Sequence, residues 1–241
     1  MDDHGEATDT DEQSRFLSRL YARRFPPEAD EGRRLLWRTL ADELLQRYVP
    51  EDGAVLDVGG GRCEFVNAIR AKRRVVLDLD PNAKAAAADG VEVVVGDVLG
   101  EVPDTIADGT FDVVFVSNFF EHLRDADDLI TVLARIRGWL RPGGELVVLQ
   151  PNFRFAYKQY FDFVDHRLIL TDRSMAEALE SADFRILELL PQHLPFTTSS
   201  GAGKVATPTL VKWYLKVPLA WKVLGGQMFV RATPTGPATA S

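Results

Sequence analysis

Val55-Leu56-Asp57-Val58-Gly59-Gly60-Gly61-Arg62-Cys63-Glu64-Phe65 is the stretch on which the reading of this chain turns. A short apolar run enters three consecutive glycines. It leaves them into residues that suit a helix, with Phe65, Val66 and Ile69 placed for its core face. Glycine permits a sharp turn and lets the backbone approach a ligand closely, because no Cβ intervenes. A tight turn in any α/β protein would satisfy the same pattern, so the flanking segments carry the decision.

Upstream, Leu36, Leu40, Leu44 and Tyr48 recur every four residues. They predict a helix over 33–49 that Pro50 to Gly53 breaks. Downstream, apolar runs predict strands at 54–58, 75–79, 91–95, 111–116 and 145–149. Asp125 is placed to cap a helix carrying Leu129, Leu133, Ile136 and Leu140, which Pro142-Gly143-Gly144 stops. A helix over 172–182 and strands at 184–190 and 227–232 follow. Strands that read as continuous apolar runs are buried on both faces, as in a parallel sheet. Their alternation with helices implies right-handed crossovers and a doubly wound α/β sheet.

Two acids extend the glycine signal. Asp78, with Leu79 beside it, closes the second strand about twenty residues after the loop. There a carboxylate can accept hydrogen bonds from ribose hydroxyls. Asp97 follows the third strand in Val95-Gly96-Asp97-Val98. Both acids and the glycines fall at the carboxyl ends of neighbouring strands, where open α/β sheets bind ligands.

Asp-x-Gly-x-Gly, an acid after the second strand, Gly-Asp after the third and Arg-Pro-Gly-Gly before the fifth together resemble a class I S-adenosylmethionine-dependent methyltransferase, over roughly residues 33–232. The resemblance implies a Rossmann-like, seven-stranded, mostly parallel sheet with helices on both faces and an antiparallel last strand. It implies S-adenosyl-L-methionine as cofactor and S-adenosyl-L-homocysteine as product. Asp57 and Gly59, Gly60 and Gly61 would face the methionine end. Asp78 would hold the ribose, Asp97 and Val98 the adenine, and Ser117 and Asn118 the floor near the sulfonium. In similar proteins the N-terminal helix closes over the cofactor, which implicates Arg33 and Trp37; an Arg there can pair with a carboxylate. One departure is Cys63, which stands where the family often has a further glycine. A dinucleotide loop would instead need glycine at Glu64, and a phosphate loop would need Gly-Lys-Ser/Thr. A sulfonium ligand carries positive charge, which acids suit.

The chain has 241 residues and a net charge of −8, which argues against a general nucleic-acid binder. Its single cysteine excludes an internal disulfide and is compatible with a cytoplasmic address. Residues 1–14 are read as a disordered acidic tail, 15–232 as the methyltransferase domain, and 233–241 as a flexible C-terminal tail. No apolar run reaches the roughly 20 residues that span a bilayer, so no stable membrane insertion is expected. The long stretches 151–170 and 191–226 are read as insertions that cap the substrate. Monomer and homodimer both remain open.

Methyl transfer to oxygen calls for a base near the acceptor. His122, after the fourth strand, and His166, in Asp165-His166, are the candidates. Tyr157, Tyr160 and Asp165 are expected on the acceptor wall, and no metal ligand set is expected. Residues 209–226 hold Lys212, Lys216 and Lys222 with Trp213, Tyr214 and Trp221 and no acid. This stretch reads either as lid-facing aromatics with long lysines or as a segment that lies on an anionic membrane. It resembles a branch associated with polysaccharide or glycosyl-transfer pathways. The expected acceptor is therefore a small molecule, through a hydroxyl of a sugar or a sugar-bearing intermediate. The alternatives are N-methylation of a small amine and cofactor binding without turnover.

Overall fold

The computed structural model describes residues 19, 20, 24, 30–196 and 207–236. The stretch expected as an acidic tail and residues 237–241 lie outside these.

Seven strands form one sheet in the order β3-β2-β1-β4-β5-β7-β6. They are β1 (Ala54–Val58), β2 (Arg73–Asp78), β3 (Val91–Val95), β4 (Phe111–Ser117), β5 (Leu140–Pro151), β6 (Phe184–Leu190) and β7 (Gln227–Pro234). The first five run parallel, and β7 is antiparallel to both β5 and β6. The helices are α1 (Asp30–Leu40), α2 (Glu64–Ala68), α3 (Ala83–Ala86), α4 (Ala126–Trp139), α5 (Phe153–Ala156), α6 (Asp172–Ser181), α7 (Pro208–Leu215) and α8 (Pro218–Leu224).

The two-residue period of the strands sorts their side chains into two separate cores. Leu56, Val58, Val75, Leu77, Val114 and Val116 face Leu129, Val132, Leu133 and Ile136 of α4. The intervening Val55, Val76, Val113, Phe115, Val147 and Leu149 face Leu36 and Leu40 of α1 together with Phe65. This is why the sequence reads as unbroken apolar runs: both faces of every central strand are covered. Asp125 caps α4 as expected, its side chain accepting from the Asp128 amide at 3.0 Å.

β2 runs over Arg73–Asp78 rather than 75–79, and the ends of β4 and α6 differ by one residue; four departures from the sequence pattern are larger. The helix expected over 33–49 is α1 followed by a π-helical turn over Ala41–Leu45 and a 3₁₀ turn over Gln46–Tyr48. Local rewinding lets Leu44 and Leu45 both reach the core. β5 begins at Leu140, and Pro142-Gly143-Gly144 lies inside it at an irregularity in the pairing with β4, where Gly143 takes φ +78°. The stretch 191–226 contains α7 and α8, each opened by a proline in its first turn. Two helices of eight and seven residues are too short to show a period, and their prolines read as breakers. Finally, Thr233 and Pro234, assigned to a flexible tail, belong to β7, and Thr233 Oγ1 donates to the Gly144 carbonyl at 2.9 Å.

Candidate active site

Parallel pairing brings the carboxyl ends of β1, β2 and β4 to one edge, and the glycine turn sits on it. Gly59 and Gly61 have φ of +69° and +50°. A Cβ on Gly59 would lie 2.4 Å from Phe119 Cδ2, and one on Gly60 would lie 2.4 Å from Val76 Cγ2 and 2.8 Å from Asp57 Oδ2. A Cβ on Gly61 would meet nothing within 4 Å. The first two glycines therefore allow close packing, and the third leaves open space above the turn. Cys63 adopts φ +60°, the left-handed conformation that favours glycine, so the backbone keeps the turn despite the side chain. Its thiol is buried, and burial, helped by the Asp57 charge, pushes it up to about 12. A thiol held protonated is not a nucleophile.

The acids are gathered here. Asp57 is only 3% exposed, and burial first, then the charges of Asp78 and Glu64, raise its pKa well above the usual range. Asp78 accepts from the Gly61 amide at 2.6 Å and the Asp80 amide at 2.7 Å. Burial raises its pKa and these amides oppose the rise. Arg33 is buried and pairs with Glu64 at 2.8 Å, which ties α1 to the start of α2. Leu79 stands half-buried beside Asp78. Asp97 is exposed and accepts from the Leu99 amide at 2.9 Å, while Val98 packs into the core.

A cleft opens over this edge. Asp57, the three glycines, Glu64, Arg33 and Trp37 line one side, and Ser117, Asn118, Glu121 and His122 line the other. Phe65 and Phe115, stacked 3.8 Å apart, form its base with Trp37 edge-on to Phe115. Asn118 takes φ +48°, and its side-chain amide donates to Ser117 Oγ at 2.9 Å. A larger cleft of about 710 Å³ adjoins across Gly61, Arg62 and Glu64 and is lined by Arg33, Arg34, Arg38 and Asn82. No tip residue of β1 or β4 lines it, whereas Asp57 and His122 both line the smaller cleft.

The two candidate histidines converge, although 43 residues separate His122 from Asp165. Their rings are 5.2 Å apart. His122 Nδ1 lies 3.1 Å from the Asp165 carbonyl and 3.3 Å from its carboxylate. Asp165 is buried, which pushes its pKa up; Arg24, at 2.5 Å, and His122 outweigh burial and hold it below the usual range. His166 is walled by Tyr160 and Phe163, and burial first, then His122, lower its pKa to about 4. Its Nδ1 is buried and makes no hydrogen bond among the described residues. Glu121, also buried, accepts from Gln150 Nε2 at 2.8 Å and stands 3.9 Å from His166 Nε2. Glu121, His122 and His166 bring ligand atoms within 4.8 Å of one another, a set that could hold a cation and that the sequence reading did not expect.

The two tyrosines expected on the acceptor wall are elsewhere. Tyr157 is 55% exposed on the outer surface. Tyr160 is wholly buried, and its hydroxyl donates to the Leu168 carbonyl. From these two stretches Phe163 and Phe196 line the cleft instead, with Arg24, Glu121 and Gln227 as polar neighbours. Sequence reasoning did not place Phe163 and Phe196 here, because 151–170 and 191–196 carry no period that would mark an inward face, and it did not place Arg24 or Gln227. Only the Glu-His adjacency hinted at Glu121.

A glycine-lined turn with open space at Gly61, an anionic surround for a cationic ligand, and a carboxylate at the tip of β2 fit S-adenosylmethionine. Residues 14–189 match a family described as a methyltransferase domain. The fold is similar to that of the methyltransferase bound to the Haloferax volcanii Trm112 methyltransferase activator, with 17% identity, a TM-score of 0.59, and 98% of this chain and 100% of that one covered. It is similar to a SAM-dependent methyltransferase from Archaeoglobus fulgidus, with 21% identity, a TM-score of 0.57, and 83% and 93% covered. It is also similar to the geranyl diphosphate C-methyltransferase of Streptomyces coelicolor, with 16% identity, a TM-score of 0.57, and 83% and 77% covered. At such identities the likeness shows the shared fold, and the family match over most of the chain supplies the rest. The chain belongs to the methyltransferase-domain family and is a class I S-adenosylmethionine-dependent methyltransferase.

Proposed function

We propose that the enzyme methylates a hydroxyl of a small-molecule acceptor, a sugar or a sugar-bearing biosynthetic intermediate, with His122 as general base. The observation that carries this reading is the His122–Asp165 contact at the rim of the cleft. Bound S-adenosylmethionine supplies an electrophilic methyl group whose departing sulfur leaves neutral and needs no acid. An alcohol is a poor nucleophile until its proton is taken, so a base at the acceptor is the group this chemistry requires. Asp165, ionised through Arg24, fixes the proton of the His122 ring on Nδ1 and directs Nε2 to the acceptor. It also stabilises the imidazolium that forms. His166, neutral at physiological pH, offers a buried nitrogen that an acceptor hydroxyl would satisfy. Trp37 and Phe196 give aromatic surfaces against which a sugar ring can lie. Asp57 and Asp78 would hold the ammonium and ribose of the cofactor, and Arg33 its carboxylate.

The test is transfer of radiolabelled methyl from S-adenosylmethionine to a panel of free and carrier-linked sugars, with the product's methylated atom assigned by NMR. His122→Asn should lower kcat by about 10²- to 10⁴-fold and leave S-adenosylhomocysteine affinity unchanged. A variant as fast as the parent would fit an amine acceptor, which needs only orientation, and would refute the base. Tight cofactor binding with no methylated product from any metabolite extract would refute turnover itself.

A further inference from the structure

We infer that the helical hairpin α7–α8 is a docking surface for an anionic lipid membrane. The hairpin is fixed through one side only. Val211 and Tyr214 of α7 are buried, the Tyr214 hydroxyl donates to the His193 carbonyl at 2.5 Å, and Trp221 Nε1 donates to the Tyr214 carbonyl at 2.8 Å. Leu215, Ala220 and Trp221 pack partly against the core, and most of the other side chains are exposed. α8 has no buried residue, yet it carries Leu219, Val223 and Leu224 at 70%, 75% and 60% exposure. On α7, Leu210 and Trp213 are exposed as well. Five large apolar side chains exposed within fifteen residues are a local concentration, unlike the single exposed apolar residues that any surface tolerates. In this seven-residue helix Ala220 and Trp221 pack partly against the core, while Leu219, Val223 and Leu224 make no such contact and face an external phase.

Charge identifies that phase. Residues 207–226 hold Lys212, Lys216 and Lys222 and no acid, in a chain of net charge −8. Lys212 pairs with Glu43 at 2.8 Å, which leaves Lys216 and Lys222 as the cations of the exposed face. Apolar residues that enter the acyl boundary, lysines that reach lipid phosphates and a tryptophan between them make up an interfacial helix. The rest of the chain is net acidic and is repelled by the same surface, which favours approach through the hairpin. Among the described residues no helix is long and apolar enough to cross a membrane, which makes the association peripheral.

Each lysine near an anionic surface is worth about fivefold in affinity, so Lys216 and Lys222 together contribute roughly 25-fold. Sedimentation of the full chain with vesicles of phosphatidylcholine, alone or mixed with phosphatidylglycerol, tests the inference. Binding is expected to the mixed vesicles, to weaken with salt, and to fall at least tenfold in Lys216→Glu/Lys222→Glu and in Leu219→Ser/Val223→Ser. Both double variants should bind S-adenosylhomocysteine as the parent does, which shows that they are folded. Equal sedimentation of parent and variants would overturn the inference. So would a dimer in light scattering that Leu219→Ser/Val223→Ser dissolves, because the hairpin would then join two copies of the chain.

Discussion

Asp57 offers a test in which stability and affinity move in opposite directions. Its carboxylate is 3% exposed, and Asp78 and Glu64 add repulsion to the loss of water. A carboxylate whose folded pKa is raised keeps its proton in the native state where the unfolded chain releases it. Stability therefore falls as pH rises from the ordinary carboxylate value to the raised one, and the deficit persists above it. Asp57→Asn removes that deficit, so the ligand-free variant should melt higher than the parent at neutral pH. Its affinity should drop. A carboxylate and an ammonium 4 Å apart attract by about 4 kcal/mol at an effective dielectric of 20. Desolvation offsets part of this, and a hydrogen bond to a charged group nets about 1.5–3 kcal/mol, or roughly 10- to 150-fold in Kd. Titration calorimetry with S-adenosylhomocysteine reads the loss. Parent affinity should also fall as pH is lowered toward the raised pKa, and the variant should lose that slope. Unchanged affinity in Asp57→Asn would refute the assignment of this acid to the ammonium, and a lower melting temperature without ligand would refute the destabilising charge.

Gly60→Ala should destabilise the ligand-free protein by about 1–3 kcal/mol in denaturant unfolding, since its Cβ would lie 2.4 Å from the fully buried Val76. Cys63, buried and with its thiol pushed up to about 12, should resist iodoacetamide in mildly alkaline buffer and react on unfolding, as followed by mass spectrometry; fast native alkylation would show that the turn opens.

Much of the fold was legible because β1, β3 and β6 are bounded by residues that cannot continue a strand and filled by residues that suit one. The bounds of all three agree with the pattern. The glycine turn and Asp78 were legible for a similar reason: a backbone that must turn sharply and a carboxylate at a strand tip leave local marks. The acceptor side left few. Tyr157 and Phe163 belong to one aromatic stretch with no period, and nothing local separates the exposed ring from the one that lines the cleft. Likewise α7 and α8 are too brief for an apolar stripe to stand out.

By itself the sequence determined the seven strands in chain order, the two-faced burial of the central strands and the glycine-lined edge, because each depends on short-range periodicity or on a residue's own conformational limits. Only the tertiary structure decided that His122 meets Asp165, that Arg24 reaches across 141 residues to hold that acid, and that His166 is buried beside Glu121. Those pairings depend on how β4, β5 and residues 151–170 pack against one another, a long-range outcome that no local pattern encodes.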